Sequence, residues 1–373
     1  MAAYLSYAAI ALLLLVLYLS LDIMGILSRR NKFDVDGRTV LLTGGSYGMG
    51  RSLAALLSSR GASLILVARD PAKLASAVEH AKSHAKHPST QRFTYISADV
   101  SSEAENERLL KEATAWNNGK TPEVVWAHAG SASPMLFVES SIETQRRQMD
   151  LNYWAACYLA HKTLRAWLYP ETPYPAQTKT DGEKKAQPEP PRYFIVTSSV
   201  IAFVNIAGYA PYGPAKTALR ALCDALNMEI LLYNGARRSN KDTGTSPAPF
   251  DIHVRAIFPG TIKSPGLEQE NKTKHAVTHL LEESDPAQTE MEAAVAAIKG
   301  LERGDFMTAT NWLGEVLRIS SLGGSKRNGV VRDTLGQWLT SLVWLVAGPD
   351  MEGKVWGWGK KEGMPEFRPE GSR

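Results

Sequence analysis

The sequence has few of the residues that build disulfide frameworks and metal sites. Of 373 residues only two, Cys157 and Cys223, are cysteines, and both fall in helical patterns. Free, buried thiols in a reducing compartment are therefore expected, with a disulfide or redox switch as the alternative. The eight histidines show no metal-ligand spacing, so no metal site is predicted.

An excess of charge of one sign is also absent. Lys and Arg number 42 against 38 Asp and Glu, which leaves a formal net charge of +4 spread along the chain. Because this balance forms no concentrated basic patch, nucleic acid is not a predicted partner. With 44% hydrophobic and 21% charged residues, the chain can bury a sizeable core. A single wound α/β domain with additions fits its length better than two domains.

The N-terminus carries a long apolar run, residues 3–27, in which Asp22 is the only charge. About 20 apolar residues suffice to cross a bilayer. A secretory signal peptide is shorter and begins with a positive segment, which is missing here. Basic residues follow the run within positions 29–32. The positive-inside tendency then predicts a transmembrane anchor, residues 1–32, with the remaining chain in the cytosol, and a buried core helix is the alternative.

A glycine-rich turn separates a short apolar run from a helical pattern. Residues 38–42 precede Gly44, Gly48 and Gly50, and leucines at helical spacing follow as far as Gly61. Glycines let the backbone approach a pyrophosphate, and the start of the helix offers free N–H groups. Strand, glycine turn and helix together predict a dinucleotide site.

The residue after the next apolar run indicates which dinucleotide binds. Residues 64–68 are a predicted strand, and Arg69 follows where an acidic residue would otherwise hold the adenosine ribose. Arg69, with Lys73 one helical turn further on, suits a 2′-phosphate. Asp70 is expected to cap the helix that opens at Pro71. NADPH is therefore the predicted cofactor, in preference to NADH.

Three polar residues in the middle of the chain have a spacing that suits proton transfer. Tyr212 and Lys216 are four residues apart, and Ser199 lies thirteen before the tyrosine, just after the predicted strand 193–197. Positions i and i+4 share a helix face, so the ammonium can lie beside the phenol and favour its ionisation. The spacing predicts a ketone/alcohol oxidoreductase. Ser198 is an alternative hydroxyl, and an ordinary helix-surface pair is the alternative for the Tyr–Lys spacing.

The glycine turn and the Ser–Tyr–Lys spacing together resemble the short-chain dehydrogenase/reductase family over roughly residues 38–265. The resemblance implies an α/β fold with a doubly wound Rossmann-type parallel sheet, and hydride transfer from a nicotinamide to a ketone. It implies that Ser199 binds the carbonyl oxygen, Tyr212 donates the proton, and Lys216 lowers the tyrosine pKa and holds the nicotinamide ribose. Asn152, the family's helix asparagine, would position a water that returns the proton. The implied cofactor-binding residues are Gly44, Ser46, Tyr47, Gly48, Gly50, Arg69, Lys73, Asp99, Val100, Tyr212, Lys216, Ile262 and Ser264.

One turn departs from the family pattern. Residues 127–130 resemble its N-[NAC]-A-G turn, but Ala127 replaces the usual asparagine and His128 occupies the middle position. Because of this departure, the sequence does not predict the ordinary hydrogen bonds of that turn. The expected fold is not affected. Pro259 and Gly260 resemble the turn that packs against the nicotinamide.

Several stretches lie outside the core pattern of the predicted catalytic domain, residues 33–310. Residues 169–192 are rich in proline and charge, and residues 236–249 are similar but shorter. Both are predicted surface insertions without a catalytic role. An Asp…Gln pair predicts that a helix starts at residue 285 and runs to about Arg303.

In the C-terminal region, residues 311–373, the stretch 335–346 is apolar but too short to span a bilayer. A membrane-interfacial or re-entrant segment is predicted there, with an ordinary packed helix as the alternative.

A membrane anchor beside an active site favours a long-chain ketone lipid as substrate and the membrane as partner. The anchor, residues 43–46, residues 68–69 and residues 300–306 resemble fungal 3-ketodihydrosphingosine reductases. This resemblance implies NADPH-dependent reduction of 3-oxosphinganine to sphinganine on the cytosolic face of the endoplasmic reticulum. A membrane-bound steroid, retinoid or 3-oxoacyl-CoA reductase is the alternative. A non-catalytic dinucleotide-binding scaffold is a further alternative, which the intact Ser–Tyr–Lys set disfavours. The oligomeric state stays open, a homo-oligomer included.

Overall fold

The computed structural model describes residues 31–172, 174, 189–239, 245–365 and 370. The predicted anchor lies outside this part of the chain, apart from its last two residues. Within the described ranges, no helix combines the length and the apolar character needed to cross a membrane. Most of the predicted insertion 169–192 and residues 240–244 of the second insertion also lie outside.

A seven-stranded parallel sheet forms the centre of the molecule, in the order β3-β2-β1-β4-β5-β6-β9. Two short strands, β7 and β8, pair separately. The strands are β1 Thr39–Thr43, β2 Ser63–Ala68, β3 Phe93–Ser97, β4 Val124–Ala127, β5 Glu189–Thr197, β6 Phe250–Phe258, β7 Ile262–Lys263, β8 Gln288–Thr289 and β9 Met307–Ala309. The order reverses between β1 and β4, which confirms the predicted doubly wound sheet.

Helices cover both faces of this sheet. They are α1 Gly48–Ser58, α2 Pro71–Lys82, α3 Glu103–Trp116, α4 Ile142–Met149, α5 Ala155–Leu168, α6 Gly213–Ala236, α7 Pro265–Asn271, α8 Ala276–Glu282, α9 Glu290–Arg303, α10 Trp312–Ser320 and α11 Val330–Glu362. A π-helical turn, Asp150–Trp154, joins α4 to α5. Along β1, Leu41 packs into one buried cluster while Val40 and Leu42 pack into the other. Because both faces are covered, the strands have continuous apolar runs rather than alternating ones.

Two predicted boundaries are wrong. The helix expected from residue 285 begins at Glu290, because Thr289 and Glu292 form a capping box and the residues before it belong to β8. Its predicted end at Arg303 is confirmed, with Gly304 in the left-handed conformation at φ 84°.

The second difference concerns β5, which starts at Glu189 rather than at Tyr193. The last four residues of the predicted insertion 169–192 are therefore strand. Pro190 and Pro191 fit there because extended backbone is favoured before a proline, and the pairing with β6 shifts register between Glu189 and Arg192.

The C-terminal region joins the domain through a buried ion pair. The Arg318 guanidinium on α10 donates two hydrogen bonds, of 2.9 and 3.1 Å, to the Asp333 carboxylate on α11. Both side chains are fully buried. The predicted segment 335–346 is part of α11 and has no helix boundary of its own.

One side of α11 exposes large apolar side chains at helical spacing: Leu335, Trp338, Leu339, Leu342, Val343, Leu345 and Val346. We call these seven residues the α11 stripe. On the other side of the same stretch Thr340 is buried and Gly336 lies against Ile319, so one side of the helix packs on the domain while the α11 stripe faces outward. A membrane-interfacial role for the stripe stays a prediction.

Candidate active site

A cleft of about 800 Å³ lies at the carboxyl ends of the central strands. In a doubly wound sheet this is where ligands bind, beside the point at which the strand order reverses. All the predicted cofactor-binding residues line the cleft except Gly50, which lies beneath it. Ser198 and Ser199 line it as well, whereas Asn152 is buried behind its wall.

The glycine turn brings the backbone to the floor of the cleft. Gly44 has φ 70°, and a Cβ there would lie 2.9 Å from the Cα of Ala129. A Cβ on Gly50 would lie 2.0 Å from the carbonyl oxygen of Gly44. Tyr47 precedes α1 and its side chain does not cap the helix, so the first N–H groups of α1 are available to a phosphate. These contacts fit a dinucleotide pyrophosphate.

The adenosine end of the cleft is formed by the ends of β2 and β3. Asp70 caps α2, accepting hydrogen bonds from Ala72 N at 3.0 Å and Lys73 N at 3.2 Å. That confirms the predicted cap. Arg69 and Lys73 line the cleft here, and the Lys73 Nζ lies 3.9 Å from the Asp70 carboxylate. The Asp99 carboxylate accepts from the Ser101 hydroxyl at 2.7 Å, and this bond holds its pKa below the usual value.

The two adjacent serines at the end of β5 have different environments. The Ser198 hydroxyl is buried and donates to the carbonyl oxygen of Lys216 at 2.8 Å. The Ser199 hydroxyl accepts from the backbone N of Ile201 at 3.3 Å, lines the cleft together with Tyr212, and acts to lower the pKa of the Tyr212 phenol. Ser199 therefore has the geometry to meet a substrate oxygen, and Ser198 has a structural hydrogen bond instead.

Tyr212 and Lys216 occupy the first turns of α6. Tyr212 is the residue that precedes the helix, and the Lys216 Nζ lies 5.4 Å from the centroid of its ring. Pro214 lies in the first helical turn, where it is tolerated. The Lys216 Nζ donates to the carbonyl oxygen of Thr197 at 3.2 Å.

The expected lowering of the tyrosine pKa is wrong for this structure. Burial raises the pKa of the Tyr212 phenol above its usual value, the charge of Glu270 raises it further, and the Ser199 hydroxyl opposes both effects. Burial instead lowers the pKa of Lys216 to about 7. Desolvation disfavours the charged form of each group, so the pKa of Tyr212 rises, the pKa of Lys216 falls, and the two values move apart. A lysine with such a pKa can release a proton near neutral pH.

Asn152 lies on the π-helical turn rather than on a regular helix. Its amide nitrogen donates to the carbonyl oxygen of Ser131 at 2.9 Å and to that of Gln148 at 3.0 Å. A Cβ on Gly130 would lie 2.7 Å from the Asn152 Oδ1 and 3.1 Å from the Lys216 Nζ. Gly130 thus keeps space open between Asn152 and Lys216.

The turn at His128, which lacks the family's usual asparagine, forms hydrogen bonds to two threonines. Thr43 Oγ1 accepts from the backbone N of His128 at 3.0 Å and of Ala129 at 3.1 Å. Thr197 Oγ1 lies 3.0 Å from the His128 Nδ1 and accepts from the Trp126 indole at 2.9 Å. Burial and the nearby Lys216 lower the pKa of His128 to about 4, so the ring is neutral at pH 7.

Four residues of the site were not predicted from the sequence. Thr43 and Thr197 are the last residues of their strands, a position that could have identified them. Tyr209 and Glu270 line the cleft beside Tyr212, but nothing in their sequence context marks them.

Comparison with known proteins agrees with this geometry. A family model described as short chain dehydrogenase matches residues 38–174. The chain is 45% identical over 337 residues to a 3-ketodihydrosphingosine reductase of Aspergillus fumigatus, covering 90% of this chain and 89% of that protein. It is 40% identical over 347 residues to one of Neurospora crassa, covering 93% and 89%.

The fold also matches solved structures. A short-chain dehydrogenase/reductase of Burkholderia phymatum in complex with NAD superposes with a TM-score of 0.59 at 16% identity, covering 77% of this chain and 94% of that one. A short-chain type dehydrogenase/reductase of Mycobacterium ulcerans gives a TM-score of 0.56 at 21% identity, covering 74% and 89%. With relatives above 30% identity over most of its length, this chain belongs to the short-chain dehydrogenase/reductase family of oxidoreductases, beside the fungal 3-ketodihydrosphingosine reductases.

Proposed function

We propose that the protein reduces 3-oxosphinganine to sphinganine with NADPH. The observation that carries the reductase chemistry is that Ser199, Tyr212 and Lys216 line one cleft, with the Lys216 Nζ 5.4 Å from the centroid of the Tyr212 ring. The substrate is supported by the fungal relatives, whose names give 3-ketodihydrosphingosine, the same ketone.

The roles of the residues follow from where charge develops. Bound NADPH would supply the hydride that adds to the ketone carbon. As the carbonyl π bond breaks, negative charge develops on its oxygen, and the hydroxyls of Ser199 and Tyr212 converge there. Tyr212 gives its proton to that oxygen, which completes the alcohol and leaves a phenolate.

The proton then has to be replaced on Tyr212. Lys216, with its pKa lowered to about 7, can pass a proton to the phenolate at neutral pH. The space between Lys216 and Asn152 suits a water molecule, because the Asn152 Oδ1 accepts one hydrogen bond, from Ser131 N at 3.2 Å, and can accept a second. Asn152 would hold that water so that it returns the proton to Lys216.

The preference for NADPH is supported by the adenosine end of the cleft. Arg69 and Lys73 line it, and Asp70 is engaged with the start of α2. Arg69→Ala should raise the KM for NADPH far more than the KM for NADH, because only NADPH carries the 2′-phosphate. Steady-state kinetics with both cofactors measures this, and Lys82→Ala, on the exposed end of α2, is the control. Equal losses for both cofactors would contradict the assignment.

The substrate is tested with purified protein, NADPH and three ketones: 3-oxosphinganine, a ketosteroid and a 3-oxoacyl-CoA. We expect kcat/KM to be highest for 3-oxosphinganine and Tyr212→Phe to reduce it by about 100-fold or more. If either of the other two ketones were reduced faster, its chemical class would be assigned as the substrate instead. If the protein binds NADPH but reduces none of the three, a non-catalytic scaffold becomes the better description.

We further propose that the protein acts at the endoplasmic reticulum membrane with its catalytic domain on the cytosolic side. The apolar run 3–27 and the basic residues after it support an anchor, and the α11 stripe supports a second, shallower contact. Protein lacking residues 1–30 should co-float with phospholipid vesicles. Replacing Trp338 and Leu342 with aspartate should abolish flotation, whereas aspartate at the exposed Met228 of α6 should not.

A further inference from the structure

Three carboxylates line the cleft: Asp70, Asp99 and Glu270. The first two belong to the adenosine end, where Asp70 caps α2 and Asp99 accepts from Ser101. Glu270 lies on α7 and lines the same cleft as Ser199 and Tyr212. Its negative charge raises the pKa of the Tyr212 phenol, and both residues line the cleft in which the substrate carbonyl has to bind.

The polar side chains around Glu270 form hydrogen bonds with one another rather than with the Glu270 carboxylate. The Lys274 Nζ, almost fully buried, donates to the Glu282 carboxylate at 2.7 Å. The same carboxylate accepts from the Tyr209 hydroxyl at 2.7 Å. Within the described part of the chain, the Glu270 carboxylate accepts no hydrogen bond.

Glu270 is therefore a half-buried anion to which none of the described residues donates a hydrogen bond. Burial and Glu282 raise its pKa to about 6 while Lys274 opposes them, so it is mostly ionised at pH 7. A desolvated carboxylate without hydrogen bonds is costly. In an open cleft, the donor that offsets this cost can come from a ligand.

We propose that Glu270 binds the protonated amino group of the substrate and so selects ketones that carry an amine on the adjacent carbon. This inference rests on the proposed function, because 3-oxosphinganine has such an amine beside its ketone. The carbonyl oxygen and the amine nitrogen sit on neighbouring carbons. The donors for one and the acceptor for the other must therefore be in the same part of the site. Tyr212 and Glu270 line one cleft, and the charge of Glu270 acts on the Tyr212 phenol. An N⁺–H···O⁻ bond is among the stronger hydrogen bonds.

The bound ammonium would also act on the proton donor. Without it, the charge of Glu270 raises the pKa of Tyr212. A cation between the two groups offsets that charge and favours the phenolate that forms when Tyr212 gives up its proton. A ketone without the amine leaves Glu270 desolvated and unpaired, which is how a polar site rejects an analogue that lacks its partner group.

The test compares 3-oxosphinganine with the analogue of the same chain length that lacks the amino group. In the parent enzyme, kcat/KM should be about 10- to 100-fold higher for the amine. Glu270→Gln should lower the value for the amine by a similar factor, leave the analogue unchanged or better, and leave the Kd for NADPH unchanged. Glu268→Gln, an exposed glutamate on the same helix, is the matched control and should change neither.

A further variant separates recognition from structure. Glu270→Asp keeps the charge and should retain an intermediate preference for the amine. If Glu270→Gln lowers kcat/KM equally for both ketones, or if the parent enzyme does not distinguish them, the inference is wrong while the reductase function stands. If the parent enzyme reduces neither ketone, the proposed function itself fails.

Discussion

At the residue scale, burial acts in opposite directions on the two groups that exchange the proton. It raises the pKa of Tyr212 and lowers that of Lys216 to about 7. The proton is therefore held by the phenol and easily supplied by the lysine. This is a different arrangement from a phenol that is already ionised by a neighbouring cation, which the sequence spacing predicts.

The lowered pKa of Lys216 has a consequence for stability. The pKa is about 7 in the fold against the usual 10.5 of a lysine in water, so between these values the unfolded chain binds more protons than the folded one. The free energy of unfolding should then rise with pH, by up to about 1 kcal/mol per unit from this group. Lys216→Met should flatten the slope between pH 7 and 9 in urea titrations. An unchanged slope would mean that Lys216 stays charged in the fold.

The two serines give a sharper residue-scale prediction. Ser199→Ala should lower kcat by about 100-fold or more, because it removes a donor to the developing oxyanion. Ser198→Ala should leave kcat within about tenfold and cost about 1 kcal/mol of stability, because it removes only the bond to the Lys216 carbonyl. Kinetics and thermal unfolding of both variants measure this. The reverse result would make Ser198 the working hydroxyl.

Residues whose roles depend on local geometry could be predicted from the sequence. The glycine turn, the Tyr–Lys spacing and the Asp70 cap are each set within a few residues of chain. Glu270 could not be predicted, because only the tertiary fold brings α7 and Tyr212 to the same cleft. The pKa of Tyr212 could not either, since it depends on burial by residues far apart in sequence.

At the scale of elements, features set by the local sequence were again predicted, whereas those set by tertiary contacts were not. The central strands and α1 follow apolar patterns that a sheet covered on both faces requires, and these were predicted. The start of α9 was not, because an Asp…Gln pair near residue 285 resembles a cap while the real capping box lies at Thr289 and Glu292. The pairing of β7 with β8, which removes residues 288–289 from the helix, is a tertiary contact.

The buried pair between α10 and α11 should determine whether the C-terminal helix stays attached. Asp333→Ala leaves the Arg318 charge buried with only the half-buried Glu315 as an acidic partner on α10, and should destabilise the protein by about 3–5 kcal/mol. Replacing both residues with apolar ones, Arg318→Met with Asp333→Leu, should cost less than the single change. Urea unfolding of the two variants compares them. A neutral Asp333→Ala would show that water reaches the pair.

At the scale of the whole molecule, the wound domain begins just after the predicted anchor. Phe33 and Val35 are buried in the core, and the Phe33 ring lies 5.1 Å from that of Tyr193. Lys32 N donates to the carbonyl oxygen of Glu302 at 2.9 Å. The boundary between a removable segment and the folded domain is thus expected at residue 30 or 31, slightly before the predicted residue 32.

Two truncations test this boundary. Deleting residues 1–30 should leave a folded domain that binds NADPH, because no described core contact is removed. Deleting residues 1–35 removes two buried side chains and should cost about 3 kcal/mol or more. Cofactor fluorescence and thermal unfolding distinguish them. Loss of NADPH binding in the shorter deletion would place the apolar run within the domain, and the proposed anchor would be wrong.

Helix α11 connects the surface of the molecule to the substrate side of the cleft. Its C-terminal half reaches the start of α8, where the Trp358 ring lies 4.9 Å from that of His275, the residue before the helix. Helix α8 ends at Glu282, whose carboxylate accepts a hydrogen bond from the Tyr209 hydroxyl. An enzyme bound to the bilayer through the α11 stripe would encounter its substrate within the plane of the membrane. Its rate should then follow the mole fraction of ketone in the bilayer rather than the amount per volume of buffer. Adding inert phospholipid at constant substrate should slow turnover by surface dilution, even though no component of the solution has been removed.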